Sequence, residues 1–525
     1  MTMPLGESKK KQPEPPCIIY VPHDNRPISE KQTAEVVRKL GYEVLVPPER
    51  LLGNRTDLGH PDELWKWLQE NAKRADAAVI SSDAMLYGSL VGSRKHNYKE
   101  SEILRRAEAF RKFKKKYPKL PLYVFSSVMR TPKNGAASGY EEPDYYRTYG
   151  ADIFRYTGLK DKQEMLKLTR REEKERDFLE KLIPKNHMKD WTVRREKNFK
   201  SNKQLIDLAK KNVFHYLLLG RDDNAPYSQT HMESRHLAEY GKNLGESRYQ
   251  SIAGIDEIGM LLLTRAVNEM RRETPYVFVR YNWGKGPYTV PAYSDEPLRD
   301  SVDDAVTAAG AMQTLSPELA DLILAVNSNP NGMTYDAARW ENDGKKREGT
   351  DFFVDVVEEY LDKGYPVGVA DIAFANGSDN ALMEAMRDRK LLFRLQTYSG
   401  WNTPTNSTGF AVGEGILARH MSRNDIDDLL VTRYLDDWAY QANVRNSVAR
   451  QLSWLRGDGV YGDLNGKRSA VMARTTRLLT TFVKSNLPTI TALEELQVYF
   501  PWNRMFEADI EYGPVNHDPL LNLKK

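Results

Sequence analysis

Two adjacent carboxylates, Asp222 and Asp223, closely follow a run of four apolar residues that begins at Tyr216. An apolar run that ends in a polar break predicts a strand buried on both faces. Ligands of parallel α/β folds bind just beyond the carboxyl ends of the strands, which is where this pair stands. A second interpretation is that the pair and Asn224 form a turn that caps the next helix.

Polar and aromatic side chains recur at the ends of other predicted strands, and this repetition favours a binding site over turn chemistry alone. Aromatic faces stack on the apolar face of a pyranose, while carboxylates and amides bind its hydroxyl groups. We therefore predict that the strand ends bind a small-molecule or oligosaccharide substrate. The candidate substrate-binding residues are Asp24, Arg26, Asp83, Arg94, Asp256, Glu257, Asn282, Trp283, Asn327, Asp371, Trp401, Asn402 and Asn406.

The elements that must position these residues alternate between apolar strands and amphipathic helices. This rhythm predicts an α/β fold with a mostly parallel, barrel-like sheet and helices outside it. A stretch rich in Lys, Arg and Glu interrupts the rhythm and predicts a helical insertion that is mainly a solvated face and dispensable for the core. The predicted regions are a disordered leader (1–16), a first part of the α/β core (17–157), a charged helical insertion (158–212), a second part of the core (213–420) and a helical C-terminal region (421–525).

Composition narrows the class of protein. The chain has 525 residues, of which 40% are hydrophobic and 29% charged, and a formal net charge of +4. These values are typical of a soluble globular protein, and no basic stripe favours nucleic acid as a partner. Cys17 is the only cysteine, which excludes an internal disulfide and a thiolate zinc cluster. No apolar run has the length of a membrane helix or a secretory signal, so we expect a cytoplasmic protein without a membrane partner.

Motifs for nucleotide cofactors and for serine hydrolases are absent. The chain contains no Gly-x-Gly-x-x-Gly after a strand, no Walker A loop and no Gly-x-Ser-x-Gly. We therefore assign no cofactor and no metal ligand set. A metal-dependent hydrolase stays an alternative, because a hard divalent cation prefers carboxylate oxygens. The strand-end carboxylates that would serve it are Asp24, Asp83, Asp222, Asp256 and Asp371.

Several motifs resemble the signature of a bacterial family known only as a domain of unknown function. They are PHDNRP (22–27), YGSLVGSR (87–94), the pair at 222–223, the pair Asp256–Glu257 and YSGWNT (398–403). The resemblance covers nearly the whole chain. This sequence carries Asn25 where relatives carry a second aspartate.

A second set of features is similar to the retaining N-acetylhexosaminidases that fold as α/β barrels. These features are the Arg26–Pro27 turn, the aspartate pair, and Trp401 with Asn402 and Asn406. In such enzymes the substrate's own acetamido group is the nucleophile. The resemblance implies that Asp222 orients the acetamido group and that Asp223 protonates the leaving oxygen.

Our leading hypothesis is therefore a glycoside hydrolase. Besides the metal-dependent hydrolase, a non-catalytic carbohydrate or small-molecule binding protein with two open α/β domains stays an alternative. A general acid that works near neutral pH needs a raised pKa, which the Asp222 carboxylate would give to Asp223. We expect the neighbouring Arg221 to point away and to pair with an acid of an outer helix.

Overall fold

The fold rests on two sheets of parallel strands. The computed structural model describes residues 14–133, 140–452 and 459–516. Residues 1–13 of the predicted leader therefore lie outside the described residues. The first sheet has six strands in the order β2-β1-β3-β4-β5-β6. Its strands are β1 (Cys17–Val21), β2 (Glu43–Leu45), β3 (Ala77–Ser81), β4 (Leu122–Val128), β5 (Tyr216–Arg221) and β6 (Tyr249–Ala253).

The second sheet repeats the strand order of the first. Its five strands follow the order β13-β11-β9-β7-β8, and all of its pairs are parallel. In both sheets the second strand along the chain lies outside the first, and the third strand pairs with the first on its other side. The strands are β7 (Tyr276–Tyr281), β8 (Met312–Gln313), β9 (Leu322–Asn327), β11 (Val367–Asp371) and β13 (Thr397–Ser399).

The remaining strands are short and lie outside these sheets. They are β10 (Tyr335–Asp336), β12 (Phe374–Ala375), β14 (Gln497–Tyr499) and β15 (Asp509–Glu511). The predicted α/β class with mostly parallel strands is confirmed, and a barrel-like arrangement of the strands stays a prediction.

The α-helices occupy the connections between strands, the segment before β5 and the C-terminal region. They are α1 (Thr33–Arg38), α2 (Pro61–Asn71), α3 (Ser82–Tyr87), α4 (Leu90–Lys95), α5 (Glu100–Lys116), α6 (Tyr146–Met165), α7 (Arg170–Leu182), α8 (Lys185–Lys210), α9 (Gln229–Gly241), α10 (Ile258–Arg271), α11 (Leu298–Ala308), α12 (Thr350–Asp362), α13 (Asn380–Asp388), α14 (Pro404–Ala418), α15 (Arg423–Arg433), α16 (Arg445–Gln451) and α17 (Arg468–Asn486). None of those in the described ranges combines the length and apolarity that a membrane span requires.

The predicted strand before the aspartate pair is β5, and all six of its residues are buried. Apolar runs such as this one bury both faces because helices cover each side of a parallel sheet. The same holds for β1 and β3, whose residues are also all buried.

Two buried helices separate the sheets. Helix α10 packs on β3 and β4, helix α14 packs on β9, β11 and β13, and the two helices pack on each other. Their contact is close because glycines of α14 face α10. A Cβ atom added at Gly413 would lie 2.8 Å from Cγ of Met260 and 3.1 Å from Oγ1 of Thr264. The two sheets are therefore joined through a helix pair that leaves no room for larger side chains.

The charged segment at 158–212 is helical, as predicted, but its inner side is buried against the first sheet. Arg195 of α8 is 2% exposed, and it donates hydrogen bonds to the backbone carbonyls of Met129 and Arg130. Asp161 of α6 is fully buried and accepts a hydrogen bond from the backbone of Ser228 at 3.2 Å. These helices thus contact the loops that follow β4 and β5. That the segment is dispensable for the core stays a prediction.

We expect Gly413→Leu to lower the free energy of unfolding by about 1–3 kcal/mol, because the added side chain overpacks the contact between α10 and α14. The control is Gly466→Ala, since no atom lies within 4 Å of a Cβ at that position. Thermal unfolding followed by circular dichroism should show a lower Tm for Gly413→Leu alone. Equal Tm values for the two variants would contradict a close helix contact.

Candidate functional site

A cavity of about 930 Å³ lies where the carboxyl ends of the two sheets meet. On the first sheet its wall is formed by the segments that follow β1, β3, β4, β5 and β6, and on the second sheet by those that follow β7, β9, β12 and β13. The C-terminal region completes the wall. Ligands of doubly wound folds bind at this end of the strands. The structure brings seven of the predicted site residues into the wall, namely Asp24, Arg26, Arg94, Asp222, Asp223, Asp256 and Asn402.

The two adjacent aspartates line the same cavity because the strand ends at Arg221, just before them. The backbone φ of Asp223 is +36°, so the chain turns there and both side chains reach one space. Asp222 is buried, and its Oδ2 accepts a hydrogen bond of 2.6 Å from Arg94. The Asp223 side chain is 27% exposed, and its Oδ2 accepts a hydrogen bond of 3.0 Å from Arg130.

The surroundings of the Asp223 carboxyl group raise its pKa. Burial and the neighbouring charge of Asp222 raise the pKa of Asp223 to about 6, although the guanidinium of Arg130 opposes the rise. With this pKa, about half of the Asp223 carboxyl groups are protonated at pH 6 and about a tenth at pH 7, and the protonated form can donate a proton into the cavity.

Arg221 points away from the pair, as expected. It does not line the cavity, and its Nε donates to Oδ1 of Asp295 at 3.1 Å, while a second nitrogen pairs with Glu296. Both acids lie in the loop before α11 and not on an outer helix, so that detail of the expectation is wrong. Because Arg221 is neutralised elsewhere, the pKa of Asp223 stays raised.

A second charged group lies at the end of β1. Nε of Arg26 donates to both carboxylate oxygens of Asp24 at 3.0 Å, and Nη2 of Arg26 donates to Oδ1 of Asp256 at 2.5 Å. Asn402 and Asn406 donate to Oδ2 of Asp256 at 3.2 and 3.3 Å. Although burial opposes it, Arg26 together with its neighbours holds the pKa of Asp256 well below its usual range.

Glu141 is a shared acceptor that sequence reasoning missed. Its Oε2 accepts hydrogen bonds from Arg94 at 2.8 Å and Arg130 at 3.2 Å, and its Oε1 pairs with Arg504. Burial would raise the pKa of Glu141, but the three guanidiniums hold it well below its usual range. The sequence signal for this group was weak. Arg94 is a predicted site residue and Arg130 follows a predicted strand, but Glu141 stands in a long loop and Arg504 in the C-terminal tail.

Aromatic side chains line the cavity, but they are not the predicted ones. They are Phe154, Tyr293, Tyr461, Trp502 and Phe506. Nε1 of Trp502 donates to Oδ1 of Asn25 at 2.8 Å, and the guanidinium of Arg26 lies 5.2 Å from the Trp502 ring centre. The end of the C-terminal region therefore closes one side of the cavity.

The two predicted tryptophans lie outside the wall. Trp401 is 2% exposed and packs in the main hydrophobic core. It follows β13, which packs on α14, and burial of the large apolar indole ring in that layer is favourable. Trp283 is 45% exposed, and its Nε1 lies beside Gly349 in the loop before α12. Neither residue lines this cavity.

The other predicted residues outside the wall are held in buried polar contacts. Asp83 accepts hydrogen bonds from the backbone and side chain of Ser127 at 2.8 and 2.9 Å. Glu257 is buried behind Asp256, and burial raises its pKa well above the usual range. Asn406 lies behind the wall, where it binds Asp256.

At the carboxyl end of the second sheet, predicted residues bind one another. Asn327 donates to Oδ1 of Asp371 at 2.9 Å, and Asn282 donates to Oδ1 of Asn327 at 3.2 Å. Tyr398 donates to Oδ2 of Asp371 at 2.8 Å. These side chains join β7, β9, β11 and β13 at their ends and do not line the cavity.

The aspartates considered for a divalent cation do not gather. Asp83 and Asp371 lie outside the wall, and the three that line it have arginine partners. In the part of the chain that the structure describes, no group of three or more His, Cys, Asp or Glu side chains is placed to hold a metal ion.

We expect Glu141→Gln to lower the free energy of unfolding at pH 7 by about 3 kcal/mol, because it leaves nearly buried guanidiniums without a matching charge. The pKa of Glu141 is lowered in the folded state, so the stabilisation is complete above the unfolded pKa of about 4.3 and is lost as the pH falls below it. Urea titrations at pH 7 and below pH 4 should show the difference between wild type and variant shrinking in acid.

The control for that measurement is Glu175→Gln. Glu175 pairs with Arg155 at 2.7 Å on the outside of the insertion, where both side chains are at least a third exposed. Its loss should cost at most about 1 kcal/mol. If both variants lost the same stability, the Glu141 network would be no stronger than a surface ion pair.

Comparison with known proteins identifies a family but no activity. No curated protein and no solved structure matches the chain. The similarity to N-acetylhexosaminidases thus stays a hypothesis, whereas the resemblance to a family of unknown function is confirmed. The chain belongs to the family described as "Protein of unknown function (DUF4127)", whose model matches residues 18–511.

Proposed function

We propose that the protein is a glycoside hydrolase of the N-acetylhexosaminidase type, with Asp223 as general acid and Asp222 as the residue that orients the substrate's acetamido group. One observation carries the proposal, namely that two adjacent carboxyl groups on the wall of one cavity have unlike environments. Enzymes give neighbouring carboxyl groups different roles by placing them in different environments.

The two roles follow from the partners of each carboxyl group. Asp222 accepts a charged hydrogen bond from Arg94, and a carboxylate oxygen at this place can also accept a hydrogen bond from the N–H of an acetamido group. Asp223 is more exposed to the cavity and has a pKa of about 6, so it can protonate a leaving oxygen near neutral pH.

In the proposed reaction the acetamido carbonyl oxygen attacks the anomeric carbon while the glycosidic bond breaks. Asp223 gives its proton to the departing oxygen, and Asp222 stabilises the positive charge that develops on the acetamido nitrogen. Asp223, now a carboxylate, then takes a proton from the water that opens the cyclic intermediate, which restores both groups and retains the anomeric configuration.

The rest of the cavity wall supports a sugar as the substrate. A volume of about 930 Å³ is at the upper end of the range for small-molecule sites. Asn402, Asn376 and Asp336 offer hydrogen-bonding groups, and Tyr293 and Trp502 offer aromatic faces.

A second candidate is a non-catalytic binding protein for the same class of ligand. The observation that favours it is the repeated strand order, which builds a cavity between two similar α/β sheets. A binder needs hydrogen bonds from the aspartate pair but no proton transfer. The two candidates therefore differ in what a change at Asp223 does.

We expect Asp223→Asn to slow hydrolysis of N-acetylhexosaminides with poor leaving groups by about 10²–10⁴-fold and to affect activated aryl glycosides much less, because only poor leaving groups need protonation. Because the acid must be protonated, the wild-type rate on poor leaving groups should fall as the pH rises above about 6. The measurement is kcat over a pH series for both substrate types.

Asp300→Asn is the matched control, since Asp300 is an exposed aspartate of α11 outside the cavity wall. It should leave both rates unchanged. If Asp223→Asn slowed both substrate types equally, or neither, Asp223 would not be the acid. Ligand binding without turnover in the wild type would instead favour the binding protein.

A separate prediction tests the nucleophile. We expect an aryl N-acetylhexosaminide to be hydrolysed at least about 10²-fold faster than its free-amine counterpart, because the amine lacks the positioned carbonyl oxygen that attacks the anomeric carbon. The measurement compares kcat, together with calorimetric binding of both sugars to separate binding from chemistry. Equal kcat values would rule out acetamide assistance.

A further inference from the structure

Exposed aromatic side chains are concentrated in two loops beside the cavity. Among the described residues, seventeen large apolar side chains are exposed, and six of them stand in the loops that follow β7 and β9. They are Trp283, Tyr288, Val290, Tyr293, Met333 and Trp340. Contiguous exposed apolar surface of this kind marks a binding site more often than chance.

The two loops pack side by side. The backbone N–H of Lys285 donates to the carbonyl of Pro330 at 2.9 Å, and that of Ala292 donates to Oγ1 of Thr334 at 3.3 Å. The aromatic side chains of both loops therefore belong to one area, which we call the outer aromatic surface and define by Tyr288, Tyr293 and Trp340.

The outer aromatic surface is continuous with the cavity. Tyr293 is itself part of the cavity wall, and so is Asp336. Trp340 follows Asp336 by four residues, so their Cα atoms are at most about 14 Å apart. A chain-like ligand that fills the cavity could therefore extend over this surface.

The Trp340 side chain is 82% exposed, although hydrogen bonds stabilise the turn in which it stands. The backbone N–H of Arg339 donates to the carbonyl of Asp336 at 3.0 Å, and that of Asn342 donates to the carbonyl of Arg339 at 3.1 Å. The Asn342 side chain also donates to the carbonyl of Ser378 at 3.0 Å. The backbone on both sides of Trp340 is thus fixed, and the indole ring is presented to solvent with its orientation limited by the turn.

We propose that the substrate is an oligosaccharide or polysaccharide, one unit of which occupies the cavity while its neighbouring units stack on the outer aromatic surface. This inference rests on the proposed function and extends it from a monosaccharide unit to a glycan chain. Flat aromatic rings match the apolar faces of successive pyranoses, and polar neighbours such as Asn331 and Glu341 can bind their hydroxyl groups.

The test compares ligands of different length. The probes are N-acetylglucosamine and its β-1,4-linked hexamer. Binding is measured by isothermal titration calorimetry in the Asp223→Asn background, in which we expect hydrolysis of such substrates to be slow. We expect the hexamer to bind about tenfold more tightly than the monomer. Trp340→Ala and Tyr288→Ala should each reduce the ratio of hexamer to monomer affinity several-fold.

Phe178→Ala is the matched control, because Phe178 is an exposed aromatic residue of α7 with 62% exposure. It should leave the affinity ratio unchanged. Equal affinity of the two probes for the parent protein, or a ratio that Trp340→Ala does not alter, would overturn the proposal. Light scattering adds a further criterion, since the loss of a dimer in Trp340→Ala with an unchanged ratio would make this surface a protein interface and also overturn it.

The same experiments separate this inference from the proposed function. Hydrolysis of aryl N-acetylhexosaminides without any length dependence would leave the glycosidase standing and reject the outer surface. Length-dependent binding that requires Trp340, without hydrolysis by the wild type, would support the outer surface and reject the enzyme.

Discussion

The cavity wall depends on the neutralisation of arginines that are almost excluded from water. A buried guanidinium without a counter-charge costs several kcal/mol, so each one must meet a carboxylate. Arg94, Arg130 and Arg504 meet at Glu141, although they stand in α4, in the loop after β4 and in the C-terminal tail. This requirement draws three distant parts of the chain to one point and closes the cavity on that side.

The same arginines distinguish the two aspartates of the candidate active site. Arg94 binds the buried Asp222, whereas Arg130 is shared among the partly exposed Asp223, Glu141 and Glu142. Burial and the charge of Asp222 then outweigh the attraction of Arg130, so the pKa of Asp223 rises to about 6. The electrostatic difference on which the proposed mechanism rests is thus a product of the network that holds the wall together.

The repeated sheet places this network opposite a second set of loops. Both sheets have the same strand order, and both direct their carboxyl ends at the cavity, because α10 and α14 pack between them along buried, glycine-containing faces. The first sheet supplies most of the charged residues, and the second supplies Tyr293, Asp336 and the exposed aromatic loops. Phe154 of α6 and three residues of the C-terminal region, Tyr461, Trp502 and Phe506, add further aromatic side chains to the wall.

The sequence by itself determined the local elements. Apolar runs followed by polar breaks predicted β1, β5 and the other buried strands. The polar breaks after β1 and β5 contain Asp24, Asp222 and Asp223 of the cavity wall. These residues could be predicted because the end of a strand is visible in the local sequence. Tertiary structure alone decided which strand ends share a cavity. Trp401 matched a sugar-site pattern but lies in the core, because burial depends on how helices cover the sheets. Glu141, Trp502 and Arg504 have no strand-end signal, and the ion pair between Glu141 and Arg504 joins residues hundreds of positions apart.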